Sequence, residues 1–141
     1  MRYFSTRDKK LNFSFTEIFS RGLAPDGGLF IPSELKKYSS SELKSLQNLS
    51  YTDLATEIIS SFCSPDLDKQ KLKILISNAY NNFFTKEVVK IKKIGDIHLL
   101  ELYHGPTLAF KDIAMQVIGN LYDELNIADK KKVNIVVATS G

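Results

Sequence analysis

The segment Ile97-His98-Leu99-Leu100-Glu101-Leu102-Tyr103-His104-Gly105-Pro106-Thr107-Leu108-Ala109-Phe110-Lys111-Asp112 passes from an apolar strand, through a loop, into a helix. Residues 97–102 are apolar enough for a strand. Gly105 and Pro106 fix the path of a polar and aromatic loop. The spacing predicts a helix from about Phe110 to Leu125, which sets Lys111 in its first turn. The positive end of a helix disfavours an ammonium. A neutral amine is the form that attacks an aldehyde. Phe110 offers an apolar wall beside Lys111, and the charge of Asp112 suits a helix start. The simpler reading of the same residues is a surface lysine pointing to water, and a lone Lys at a helix start favours it.

Downstream, Val133-Asn134-Ile135-Val136-Val137-Ala138 is β-branched and nearly all apolar, as a strand covered on both faces should be. Strand, helix, strand makes a βαβ unit with a right-handed crossover. The fold class is therefore α/β. Ala138-Thr139-Ser140-Gly141 has the small residues that often open an anion-binding turn after such a strand. One βαβ unit cannot complete a covered parallel sheet, so the remainder is expected elsewhere. Gly119 interrupts the helix and is expected to permit close packing, at about 1 kcal/mol against Ala.

Upstream, the chain reads as short helices around a small extended framework. Arg2–Thr6 suits a short strand with Tyr3 and Phe4 on opposite faces. Ser14-Phe15-Thr16-Glu17 fits a capping box, with Phe15, Ile18 and Phe19 on one face and Gly22 as the stop. Pro25-Asp26-Gly27-Gly28 is a turn signal, and Leu29-Phe30-Ile31 follows as a strand that Pro32 closes. Ser39 and Ser50 open two more helices. The second places Leu54, Ile58 and Phe62 on one face. Ser64-Pro65-Asp66 opens a fourth, with Leu67, Leu72, Leu75, Ile76 and Tyr80 inward and Asn81-Asn82 at its end. Val88-Val89 suits a strand. The sequence divides near residue 95, into a mostly helical unit (1–95) and the start of an α/β unit (96–141).

Composition narrows the function. Nineteen Lys and Arg stand against 16 Asp and Glu in 141 residues, a net charge of +3. That is too mild for a nucleic-acid partner, and the run Lys130-Lys131-Lys132 reads as a solvated loop. The single cysteine, Cys63, excludes an internal disulfide and argues against a structural metal site. It is read as a small buried filler. Neither a signal peptide nor an apolar run approaching the ~20 residues of a membrane span is visible. The expected compartment is the cytoplasm.

Three motifs carry a resemblance to a known family. His104-Gly105-Pro106-Thr107-Leu108-Ala109-Phe110-Lys111-Asp112 resembles the cofactor-lysine segment of threonine synthases. Tyr3–Arg7 and Phe15–Pro32, including Gly22-Leu23-Ala24-Pro25-Asp26-Gly27-Gly28-Leu29-Phe30-Ile31-Pro32, resemble the opening of that family. Ala138–Gly141 is similar to the start of its Ala-Thr-Ser-Gly-Asp-Thr-Gly loop. Between Pro32 and Lys90 only size and helical pattern agree.

The resemblance implies a fold-type II, pyridoxal-phosphate (PLP) enzyme of threonine biosynthesis. It would be a carbon–oxygen lyase that converts O-phospho-L-homoserine and water to L-threonine and phosphate. It implies that Lys111 carries the cofactor and moves protons, with Phe110 and Asp112 flanking it. Thr139, Ser140 and Gly141 would begin the substrate-binding loop. Arg7 is a candidate phosphate contact, or a packing residue. His104 reads first as a loop-ordering hydrogen bond, Tyr103 as packing, and Asp26, Gly27 and Gly28 as turn formers. The family's Gly-rich cofactor-phosphate loop has no counterpart downstream of Lys111, so these 141 residues alone are expected to be inactive. A monomer or a homodimer fits. Alternatives are a threonine-synthase-like phospholyase or another fold-type II PLP lyase and, in a different class, a noncatalytic folding or interaction module.

Overall fold

A computed structural model describes residues 1–129, 134 and 136–138. The strand β1 (Tyr3–Ser5) pairs antiparallel with β2 (Phe30–Pro32), Phe4 standing opposite Ile31. Tyr3 and Ser5 point inward and Phe4 is partly exposed, the alternation a strand imposes. Between the two strands lies the helix α1 (Phe15–Phe19). Its capping box is present: Glu17 N–H donates to the Ser14 hydroxyl, and Ser14 N–H to the Glu17 carboxylate at 2.7 Å. Ser20 ends the helix, two residues before the expected Gly22.

Three further helices follow, α2 (Ser40–Leu46), α3 (Tyr51–Cys63) and α4 (Lys69–Tyr80). Ser39 and Ser50 cap the first two as the sequence predicts. The fourth helix starts later than expected. Asp68 is its cap, accepting from the N–H groups of both Gln70 and Lys71. Asp66 serves a different helix, accepting from Thr16 N–H at 2.8 Å in the first turn of α1.

The core lies where α4 packs between α3 and α5 (Asp112–Asp129). Leu72 and Ile76 of α4 are 0% exposed, with Ala79 and Tyr80 buried beside them. Truncating Leu72 to Ala there would cost about 2–5 kcal/mol. On α3 the inward row is Tyr51, Ala55, Ile59 and Cys63 rather than Leu54, Ile58 and Phe62. Ile58 is exposed. The two rows lie one residue apart, and the inward one carries the small Ala55 and Cys63, which allow α4 to approach. Tyr122 ties α5 back to α1: its hydroxyl donates to the Phe19 carbonyl, and the two rings lie 4.7 Å apart.

Val88 and Val89 form no strand. Val88 is buried with a φ of 63°, the left-handed region that a β-branched side chain resists. The strand lies just beyond it: β3 (Lys90–Ile94) forms an antiparallel hairpin with β4 (Ile97–Glu101). Gly95, at the tip, has a φ of 60°, which glycine adopts without strain. Residue 95, near which the sequence is expected to divide, lies in a hairpin turn. Ile91, Ile94, Ile97, Leu99 and Leu100 leave this hairpin largely exposed.

The α/β character stands, in the form of two antiparallel two-stranded sheets among helices. Of the expected last strand, residues 133 and 135 lie outside the described residues. Asn134 and 136–138 carry no strand, and Val136 and Val137 are exposed. Among the described residues β4 has one partner, β3, and it is antiparallel. Gly119 is also corrected: a Cβ there would meet nothing within 4 Å, so no close packing requires it.

Candidate active site

The loop from Leu102 to Lys111 is held at both ends by a buried carboxylate. At the strand end, Glu101 is 4% exposed. Its Oε1 lies 2.5 Å from Lys92 Nζ on the neighbouring strand. Its Oε2 lies 3.0 Å from His104 Nε2. A carboxylate only accepts, so the proton of this bond sits on Nε2. The Lys92 ammonium holds the Glu101 carboxyl below the usual carboxylate range, with burial opposing it and Tyr103 and His104 adding to it. The Tyr103 ring lies against that of His104, centroids 4.6 Å apart. The His104 carbonyl accepts from Phe84 N–H, which fastens the loop to the segment before β3.

At the helix end, Asp112 is 3% exposed. Its carboxylate accepts from the backbone N–H and the hydroxyl of Thr107, both at 2.8 Å. Gly105 makes room for it: a Cβ on residue 105 would stand 2.4 Å from Asp112 Cβ. Leu108 N–H closes a turn onto the Gly105 carbonyl, and Leu108 takes a φ of 62°. A non-glycine residue held there costs on the order of 1–3 kcal/mol, and such strain gathers at functional sites.

Lys111 occupies the position just before α5. Its carbonyl accepts from Met115 N–H at 2.8 Å, the first full helical bond. Helix starts favour Ser, Thr, Asp or Asn at this position and disfavour a cation. The fold therefore places a lysine where local energetics argue against one, and Asp112 and Thr107 supply the polar order instead. The expected helix start at Phe110 moves to Asp112. Lys111 and Phe110 are both exposed, Phe110 at 64%. Among the described residues no carboxylate pairs with Lys111.

Arg7 lies at a different place, at the end of β1. Its Nη1 donates to the Asp26 carbonyl at 2.9 Å. The Asp26 carboxylate accepts from the Ser5 hydroxyl and from Gly28 N–H, which builds the turn that the sequence predicts. No hydrogen bond or ion pair among the described residues joins Arg7 to the Lys111 loop. Thr139, Ser140 and Gly141 lie outside the described residues. The structure adds Glu101 and Thr107 to the candidate residues. Both sit inside the quoted segment, and their signal was spacing: an acidic residue ending a strand three before a His, and a Thr five before an Asp.

A family model described as threonine synthase N terminus matches residues 2–80. The chain belongs to the threonine synthase family. Threonine synthase of Methylobacillus glycogenes is 36% identical over 151 aligned residues, covering 100% of this chain and 32% of that protein. Threonine synthase-like 2 of Xenopus laevis is 38% identical, covering 100% of this chain and 30% of its own length. The crystal structure of PLP-bound threonine synthase from Brucella melitensis superposes with a TM-score of 0.89 at 30% identity, over 94% of this chain and 29% of that one. The chain thus spans about a third of the length of the threonine synthases it matches.

Proposed function

We propose that this chain is the part of a threonine synthase that carries the cofactor lysine, and that the residue is Lys111. The observation that supports it best is the loop pinned by Glu101 and Asp112, which ends on an exposed lysine at an unfavourable helix position. The reaction is the PLP-dependent conversion of O-phospho-L-homoserine and water to L-threonine and phosphate. When bound, the cofactor supplies an electron sink for carbanions formed on the substrate. Lys111 would hold it covalently and would take and return protons at the substrate carbons. The exposed ring of Phe110 offers an apolar face beside the amine. Asp112 keeps the loop in place through Thr107 rather than touching the reacting atoms. Arg7 has one terminal nitrogen on the Asp26 carbonyl, and its remaining N–H groups suit a substrate phosphate. Thr139, Ser140 and Gly141 are proposed to bind the substrate carboxylate. The cytoplasm is the proposed compartment.

The test uses the protein that contains this chain, titrated with pyridoxal phosphate. The expected result is the absorbance of lysine-bound cofactor, its loss in Lys111→Ala, and phosphate release from O-phospho-L-homoserine. An unchanged band in Lys111→Ala would remove the assignment. A second reading, a phosphate-eliminating lyase that forms a different product, draws support from the threonine synthase-like 2 relatives. Product analysis by chromatography separates the two, threonine favouring the first.

A further inference from the structure

We infer that Glu101 is a positioning residue for Lys111. The inference rests on the reading of Lys111 as the cofactor lysine. Glu101 ends β4 with a buried side chain, and both its oxygens are engaged, one by Lys92 and one by His104. The Lys92 contact crosses the hairpin, so Glu101 is fixed relative to both strands. The His104 contact then fixes the third residue of the loop. The His104 side chain is itself only 11% exposed, and its carbonyl holds Phe84 N–H. From His104 the backbone runs directly into the tight turn at Gly105, and Asp112 secures the far side of that turn through Thr107.

Six residues lie between His104 and Lys111 in sequence, and the path between them is set at both ends. Without Glu101 the loop would keep only the Asp112 anchor to its own helix and the bond from Phe84 N–H to the His104 carbonyl. Glu101 is what registers it against the hairpin. A lysine must meet the cofactor aldehyde within about 3–3.5 Å, and a displacement of about 1 Å can cost a hundredfold in rate. Glu101 never touches the reacting atoms. It acts through His104.

The experiment measures selective trapping. The protein that contains this chain, freed of cofactor, is incubated with pyridoxal phosphate and reduced with borohydride, which turns the lysine–cofactor linkage into a stable secondary amine. Peptide mass spectrometry then gives the trapping rate at Lys111 relative to that at Lys37, an exposed lysine outside the loop. Thermal unfolding is followed in parallel by circular dichroism. Glu101→Gln keeps the shape but cannot accept from both Lys92 and His104 as a carboxylate does. It is expected to lower the Lys111-to-Lys37 ratio by about 10- to 100-fold while the chain stays folded. His104→Phe keeps an aromatic ring against Tyr103, loses the Glu101 contact, and should lower the ratio likewise. It decides the matter if Glu101→Gln does not fold. An unchanged ratio in a folded variant would overturn the positioning role and leave Lys111 as the cofactor lysine. No preference for Lys111 in the unsubstituted protein would overturn the reading beneath both.

Discussion

The Asp112 carboxylate takes both the backbone N–H and the hydroxyl of Thr107 at 2.8 Å, closing a loop of six residues at the mouth of the last helix. Two donors converge on one buried acceptor there, so removing the acceptor strands both. Asp112→Ala should destabilise the chain by about 1–3 kcal/mol for the unpaired Thr107 groups. Asp112→Asn keeps one oxygen for one of these donors and should lose less. Urea unfolding monitored by circular dichroism checks the order. Equal losses for Ala and Asn would show that the hydrogen bonds contribute little.

Two glycines on either side of this contact should respond in opposite directions. At Gly105 a methyl group would meet Asp112 Cβ at 2.4 Å, and Asp112 is buried with nowhere to retreat. Gly105→Ala should cost at least the ~1–3 kcal/mol typical of overpacking. At Gly119 the same methyl group meets nothing within 4 Å, on an exposed face of the helix. Gly119→Ala should stabilise the chain by about 1 kcal/mol through helix propensity. A pair of thermal melts reads both, and a loss on Gly119→Ala would mean that an unseen neighbour occupies that face.

Local signals in the sequence were reliable where one segment satisfies its own backbone. The Ser14, Ser39 and Ser50 caps depend on residues three apart, and all three form. The start of the fourth helix was misplaced because Ser64-Pro65-Asp66 and Asp68 offer equal local caps. Asp66 is drawn away by Thr16, fifty residues distant in sequence, which no local pattern records. The strand Lys90–Ile94 was missed because its three lysines and two isoleucines lack strand composition, and it exists by pairing with Ile97–Glu101. At the site, the proposal of Lys111 as the cofactor lysine comes from the resemblance carried by residues 104–112, because its neighbours alone favour a surface lysine. The roles of Glu101 and Thr107 were not legible, because they arise from how a hairpin and a loop bring distant backbone together.

The capping carboxylates give the chain an acid-sensitive stability. Glu17 and Glu42 are held below their ordinary value of 4.5, first by the backbone N–H of Ser14 and Ser39 and then by the serine side chains. Asp53 is held below 3.8 by Lys73 first and then by Ser50. A carboxyl depressed in the folded state contributes stability above its unfolded pKa and loses it as pH falls through the folded value. The urea midpoint should therefore be flat from about pH 7 to 5 and fall below about pH 4. Glu17→Gln with Glu42→Gln should flatten part of that fall. A midpoint that rose on acidification would contradict the sign.

The lone thiol provides an internal clock for opening of the helical core. Cys63 is 1% exposed at the end of the third helix, beside Leu72 and Ile76 in the same cluster. Burial pushes its thiol up to about 12, and the nearby Asp66 charge adds to this. The thiolate is the reactive form, so at pH 8 the folded chain should react with a disulfide reagent far more slowly than a free cysteine. Reaction then requires the core to open, and its rate reports the population of the open state. Leu72→Ala, which costs about 2–5 kcal/mol in the same core, should accelerate labelling by roughly 30-fold or more. Urea should bring both proteins to the same fast rate, because unfolding removes the burial. Fast labelling of the unsubstituted chain in buffer alone would mean that the third and fourth helices separate without global unfolding.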